Sequence, residues 1–268
     1  GTECTWFGIT CQDGNVTIIN LAGNNLTGSI PSKIGGSTNL TKLDLSSNQL
    51  SGSIPAEIGN LSNLTTLLLP NNQLSEAIPS ELGLLLKLET LDISSNTLIE
   101  SIPTALGNLT SLKTINLSSN KLGGSIPSVI GNLTDLTYLN FSDNLLDSSV
   151  PAELGNLEDL TEFNLSNNQL SGTLPAQLGE LSKLTSLNLS SNRFSGYAPQ
   201  WLLQMGTEEL LLEDAFGSNY PPVISINGGD QTVSDTDDIA GESVSLTGTA
   251  TDQDGRIVST QWLVGGSE

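Results

Sequence analysis

The segment Leu40–Asn63, LTKLDLSSNQLSGSIPAEIGNLSN, sets the pattern of the whole chain. Apolar side chains fall at Leu40, Leu43, Leu45, Leu50, Ile54, Ile58 and Leu61. Leu43 and Leu45 alternate with Lys42 and Asp44, the period of two that marks a short strand with one buried face. Gly52 and Pro55 exclude a long helix on the return path. A short helical or 3₁₀ turn is predicted around residues 56–59. Asn48 closes the strand, and its carboxamide can both donate to and accept from the backbone of the bend.

The segment recurs without insertion. Pro returns every 24 residues at Pro31, Pro55, Pro79, Pro103, Pro127, Pro151, Pro175 and Pro199. Asn keeps the same interval at Asn24, Asn48, Asn72, Asn96, Asn120, Asn144, Asn168 and Asn192, a predicted ladder of side chains satisfying backbone groups in the bends. A fixed internal period of this length means a solenoid. Seven apolar side chains at roughly 2 kcal/mol each do not offset the ordering of one repeat at about 1–2 kcal/mol per residue. Stability therefore requires stacking, and the strands of successive turns must be parallel.

The pattern L-x-x-L-x-L-x-x-N-x-L is that of a leucine-rich repeat. The longer run Leu45-Ser46-Ser47-Asn48-Gln49-Leu50-Ser51-Gly52-Ser53-Ile54-Pro55 resembles the plant-type subclass of receptor-kinase ectodomains and polygalacturonase-inhibiting proteins. That resemblance covers roughly residues 4–212. It implies a right-handed leucine-rich repeat solenoid with a parallel β-sheet on the concave face and short 3₁₀ or helical turns on the convex face. It also implies a second small sheet at the Gly-x-Ile-Pro segment, with interruptions expected where Glu76, Glu100 and Ser148 replace the glycine. Cys4 and Cys11, in CTWFGITC, resemble the end of the subclass's N-terminal cap, which implies a structural disulfide covering the open end of the first repeat. The expected organisation is a cap at 1–15, eight repeats at 16–199, a degenerate last repeat at 200–219, with an irregular ninth strand near 210–212, and a linker with a second domain at 220–268.

Composition changes at Tyr220-Pro221-Pro222. The tail beyond it resembles the first half of a PKD or related Ig-like domain of surface proteins, on Gly229-Asp230-Gln231-Thr232-Val233 and the segment Asp252–Trp262. The resemblance implies a partial all-β segment and a chain that is a piece of a longer protein, since such sandwiches need about 100 residues. It also points to a bacterial or other microbial surface protein. Asp252 and Asp254 offer the oxygen ligands that calcium takes, although a hairpin turn rich in Asp and Gly reads the same way. No other cofactor is expected.

Charge and chemistry narrow the function. Eight Lys and Arg face 29 Asp and Glu, for a net charge of −21. That balance repels nucleic acid and anionic membranes. No apolar run approaches the ~20 residues needed to span a bilayer. There is no His, and no Cys beyond the cap pair, which removes the usual bases, thiolate nucleophiles and zinc ligands. The expectation is a non-catalytic recognition or adhesion module, secreted or at the cell surface, binding an extracellular protein, peptide or glycan. Alternatives are a rigid spacer in a large surface protein and, from the ranks of Ser, Thr and Asn, an ice-binding protein. Hot spots favour aromatic and Arg side chains. The least consensus-like positions of the concave face, Tyr138, Asn140, Asp143, Leu145, Glu162 and Asn164, with Arg193 in an edge column, are the candidate partner-binding patch.

Overall fold

The computed structural model describes residues 3–196, 198–216, 245–251 and 257–263. The chain divides into two compact units, Gly1–Ser218 and Asn219–Glu268. The first is built on a ten-stranded sheet. Its leading pair, Ile9–Gln12 and Asn15–Asn20, is antiparallel with a bulge at Thr10/Cys11. The remaining pairs are parallel and advance one rung per repeat: Ile18 lies beside Lys42, Lys42 beside Thr66, and Tyr138 beside Glu162. The final strand, Glu209–Leu211, sets Glu209 beside Ser186, a step of 23 rather than 24 (209 − 186). In the regular strands the middle residue is buried and its neighbours emerge, as at Tyr138–Asn140 around a fully buried Leu139.

Opposite the sheet lie seven five-residue 3₁₀ turns, from Ser32–Gly36 to Ala176–Glu180. Each follows a Pro; Pro127 caps Ser128–Asn132 at φ −65° with extended ψ. Proline suits that position because its fixed φ matches and no N–H is needed there. Packing leaves no room beside one glycine in each turn from Gly35 to Gly155: a Cβ on Gly131 would collide with the Glu153 carbonyl of the next turn. Between sheet and turns runs the core, a stack of Leu and Ile with Phe141, Phe163 and Phe194 fully buried.

The bends are closed by asparagine. Asn144 Oδ1 accepts the Leu122 N–H at 3.0 Å, while Nδ2 donates to the Leu117 carbonyl at 3.0 Å and the Phe141 carbonyl at 3.2 Å. The same bonds recur at Asn72, Asn96, Asn120, Asn168 and Asn192. Asn48 differs only in also accepting from Asn24. Asn24 itself is exposed and donates to the nearby Ala22 carbonyl. It stands in the same column without tying two turns together.

Beyond each bend a second, narrower ladder forms. It is a three-stranded sheet through Leu74, and then short pairs joined by single bridges such as Ala77–Ile99 and Ser101–Gly123. Its hydrogen bonds nevertheless continue past the missing glycines: Ile99 N–H donates to Glu76 O at 3.0 Å and Ser171 N–H to Ser148 O at 2.8 Å. Continuity holds because Glu76, Glu100 and Ser148 all adopt the left-handed φ of +66° that Gly52 adopts at +76°. The expected interruption is thus a narrowing in which side chains are forced into a glycine conformation.

Both ends of the array depart from the regular repeat. Cys4 and Cys11 are bridged, but the cap covers little: Trp6 is 61 % exposed and Phe7 85 %. Ile19 and Leu21 are only half-buried where their copies Leu43 and Leu45 are buried. At the other end Phe194 meets Phe216, ring centroids 5.8 Å apart, and the α-turn Gln200–Leu203 replaces a 3₁₀ turn. In the second unit the described residues form one antiparallel pair, Ser245–Thr251 with Ile257–Leu263. Asp252 and Asp254 lie outside the described residues.

Two stability outcomes follow. Asn144→Ala leaves the buried Leu122 N–H without its acceptor and removes one of two donors from the Leu117 and Phe141 carbonyls, which keep those of Asn120 and Asn168, and should cost about 1–3 kcal/mol, whereas Asn24→Ala should stay within about 0.5 kcal/mol; urea denaturation of both variants compares them. Glu100→Gly relieves a left-handed residue and should gain about 0.5–1 kcal/mol, read in the same assay, with no gain counting against strain at that site.

Candidate functional site

The outward face of the ten-stranded sheet presents three columns of side chains, one member per rung. Tyr138 and Glu162 are directly paired on neighbouring strands, and so are Asn140 and Asn164. Asn140 Nδ2 donates to the Tyr138 hydroxyl at 3.2 Å, which fixes the tip of the ring over its own strand. These four residues form one contiguous surface. The other three candidates lie apart from it. Asp143 occupies the bend at φ +56° and accepts from Asn167 Nδ2 at 2.9 Å. Leu145 and Arg193 fall on the second ladder, paired with Gly123 and Ser171. The chain turns sharply at each Asn, so positions after it leave the sheet face even though they share its period.

One feature of the face escaped the candidate residues. In the middle column Asp44, Asp92, Asn116, Asn164 and Asn188 each accept, through one side-chain oxygen, both the backbone N–H and the hydroxyl of the Ser two residues on. Asn140 accepts the N–H of Ser142 in the same way, at 3.0 Å. An acidic or amide side chain folding onto the backbone two residues later is a standard Asx turn, and the spacing Asp/Asn-x-Ser carried that signal. The outcome is that the hydroxyls of Ser46, Ser94, Ser118, Ser166 and Ser190 each donate to the side chain beside them. What emerges is carboxylate at Asp92, with Asp44 buried beneath Lys42, apolar Leu68 and Pro70 between them, and amide NH₂ at Asn116, Asn164 and Asn188.

Cations around the face are already matched. Lys42 pairs with Asp44 at 3.4 Å, Lys113 with Glu89 at 2.8 Å, and Lys183 with Asp159. The Lys113 and Lys183 pKa values are raised, first by the hydrogen bond to the partner carboxylate and then by its charge. Both pairs are 24 residues apart, so the period alone places them side by side. Glu162 is exposed and forms no ion pair with another described residue. Among the described residues no group of three or more acidic, His or Cys side chains could hold a metal ion, and no helix is long and apolar enough to cross a membrane.

Comparison with known proteins agrees with this architecture. Family models described as "Leucine-rich repeat region" and "Leucine rich repeat" match residues 80–213 and 14–74. No curated protein sequence matches significantly. Among solved structures, the chain resembles a plant peptide hormone receptor, RGFR1, in complex with RGF2, with 39 % identity and a TM-score of 0.69 over 70 % of this chain. It also resembles the ectodomain of the Arabidopsis receptor kinase HAESA in complex with an IDA peptide hormone ligand, with 34 % identity and a TM-score of 0.72 over 82 % of this chain. The matches cover 30 % and 37 % of those receptor chains, about a third of their length. A plant ice-binding protein matches at 27 % identity and a TM-score of 0.64, covering 79 % of this chain and 77 % of its own.

Proposed function

The chain belongs to the leucine-rich repeat proteins, and from that premise we propose that it is an extracellular recognition module, secreted or at the cell surface, that binds a peptide or protein segment and performs no chemistry. The binding surface is the outward, concave face of the main sheet, centred on Tyr138, Glu162, Asn140 and Asn164. One observation carries this reading: an anchored tyrosine ring stands beside a carboxylate that pairs with no cation among the described residues, on rungs whose middle residues, Leu139 and Phe163, are buried. Aromatic groups held at low entropy are what binding hot spots use. Two similar ectodomains were solved with peptide hormones bound, which supports peptide as the ligand class ahead of glycan. Asp143, Leu145 and Arg193 would act, if at all, on a ligand long enough to pass the bend. The microbial origin read from the tail and its PKD or Ig-like character find no support among the comparisons.

Ice binding is the second reading, because a plant ice-binding protein matches over most of its own length. The sheet face argues against it. Its serine hydroxyls are consumed by Asp and Asn side chains, and its first column runs unevenly through Lys42, Thr66, Tyr138 and Glu162. A thermal-hysteresis assay separates the two readings.

For the recognition reading, Tyr138→Ala with Glu162→Ala should weaken a peptide captured from a display library by at least tenfold, the size of hot-spot truncations. The melting temperature should hold, since both side chains point outward. A loss within about twofold would show that another surface binds. A spacer without a ligand would capture nothing that this double change releases.

A further inference from the structure

We propose that the ligand of this face is a basic peptide segment in extended form. Its backbone carbonyls accept from the amide NH₂ groups of Asn116, Asn164 and Asn188, and one of its cationic side chains sits on Glu162 against the Tyr138 ring. The proposal rests on the sheet-face reading above and adds the chemistry of the ligand.

The first support is the orientation of the asparagines. Their Oδ1 atoms accept the backbone N–H of Ser118, Ser166 and Ser190 at 3.1, 3.0 and 3.0 Å, and the hydroxyls of the same residues at 2.7, 2.8 and 2.7 Å. A backbone N–H can only donate, so these contacts fix which end of each carboxamide is oxygen. Both acceptor sites of that oxygen are filled. The NH₂ groups of Asn116, Asn164 and Asn188 bond to no other described residue, although the side chains are half-buried. The face therefore offers donors and asks for acceptors. From Asn116 to Asn188 is three rungs, about 14 Å at sheet spacing, which about four residues of extended peptide would span.

The second support is charge. A donor row alone would suit a carboxylate, but Glu162 lies beside Asn164 on the same face, and the protein carries −21. An anion is repelled both locally and at long range. A cation is drawn in, because Glu162 has no ion-pair partner among the described residues where Lys42, Lys113 and Lys183 have theirs. The neighbouring Tyr138 ring adds a cation–π contact. Carbonyl acceptors combined with a positive side chain describe a peptide rich in Lys or Arg.

Asp44 and Asp92 supply the control for a test, because they make the same two serine bonds as the asparagines. Asn→Asp at these positions keeps the fold's hydrogen bonds, removes the donor and adds a negative charge. Two dodecapeptide display libraries, one with a central Arg fixed and one with a central Glu, are selected on the intact protein. The Arg library should enrich, and Glu162→Gln should weaken its selected peptides at least tenfold. Asn164→Asp with Asn188→Asp should also weaken them at least tenfold with an unchanged melting temperature, despite adding two negative charges against a basic ligand. Stronger binding by that variant would mean plain charge attraction and would overturn the donor role. Enrichment from the Glu library that is lost with Tyr138→Ala and Glu162→Ala overturns this inference and leaves the sheet-face reading standing. Peptides indifferent to that double change overturn both, and enrichment from neither library overturns the basic-peptide assignment.

Discussion

Everything in this array depends on how the backbone of the bends is satisfied. A solenoid turn lies against its neighbours, so the N–H and C=O groups at each corner are shut away from water and must find partners within the stack. One asparagine per turn supplies them. Asn144 accepts from Leu122 and donates to Leu117 in the preceding turn, and donates to Phe141 in its own. The side chain is short and its reach is fixed, so one added residue in a turn would carry the amide off its partners. The constant interval of 24 is the trace of that constraint in the sequence. A constant interval in turn holds every outward residue on its rung, and makes the sheet face a set of columns.

That chain of cause explains why so much of the fold was legible. Period two at Leu43 and Leu45 gave the strand, Pro55 and Gly52 limited the return path to a 3₁₀ turn, and the fixed interval required parallel stacking. Legibility failed where an interaction is not periodic. Asn24 looks like its copies in sequence, but no preceding turn of the same kind lies beneath it to accept its amide. The bridged Cys4–Cys11 segment reads as a cover for the first repeat, yet its Trp6 stands exposed. Glu76 and Glu100 read as breaks in the second ladder, yet the hydrogen bonds of the neighbouring turns hold them at left-handed φ. Local propensity yields there to the two turns on either side.

The candidate site divides along the same line. Tyr138 beside Glu162 was readable because residues 24 apart must be neighbours on the sheet. Leu145 and Arg193 belong to the same period but lie past the bend, and a column read from spacing alone does not show where the chain leaves a face. The serine bonds needed a different scale of reading, the two-residue reach of an Asx turn rather than the repeat. Without them the face looks like a bank of hydroxyls. With them it changes from the carboxylate of Asp92 to amide donors at Asn116, Asn164 and Asn188.

Such a face separates stability from recognition residue by residue. Leu139 is fully buried between Tyr138 and Asn140, and its truncation would open a cavity and loosen adjacent turns. The two residues flanking it contribute little to the core and set what the surface can bind. In a globular fold, core and site share side chains, and changing one disturbs the other. Here the alternation of the strand assigns the two tasks to opposite faces, and the asparagine ladder holds the backbone still between them. The binding character of a rung can therefore change by a single outward substitution, as Asp for Asn already does at Asp44 and Asp92, while the bonds that build the rung stay the same.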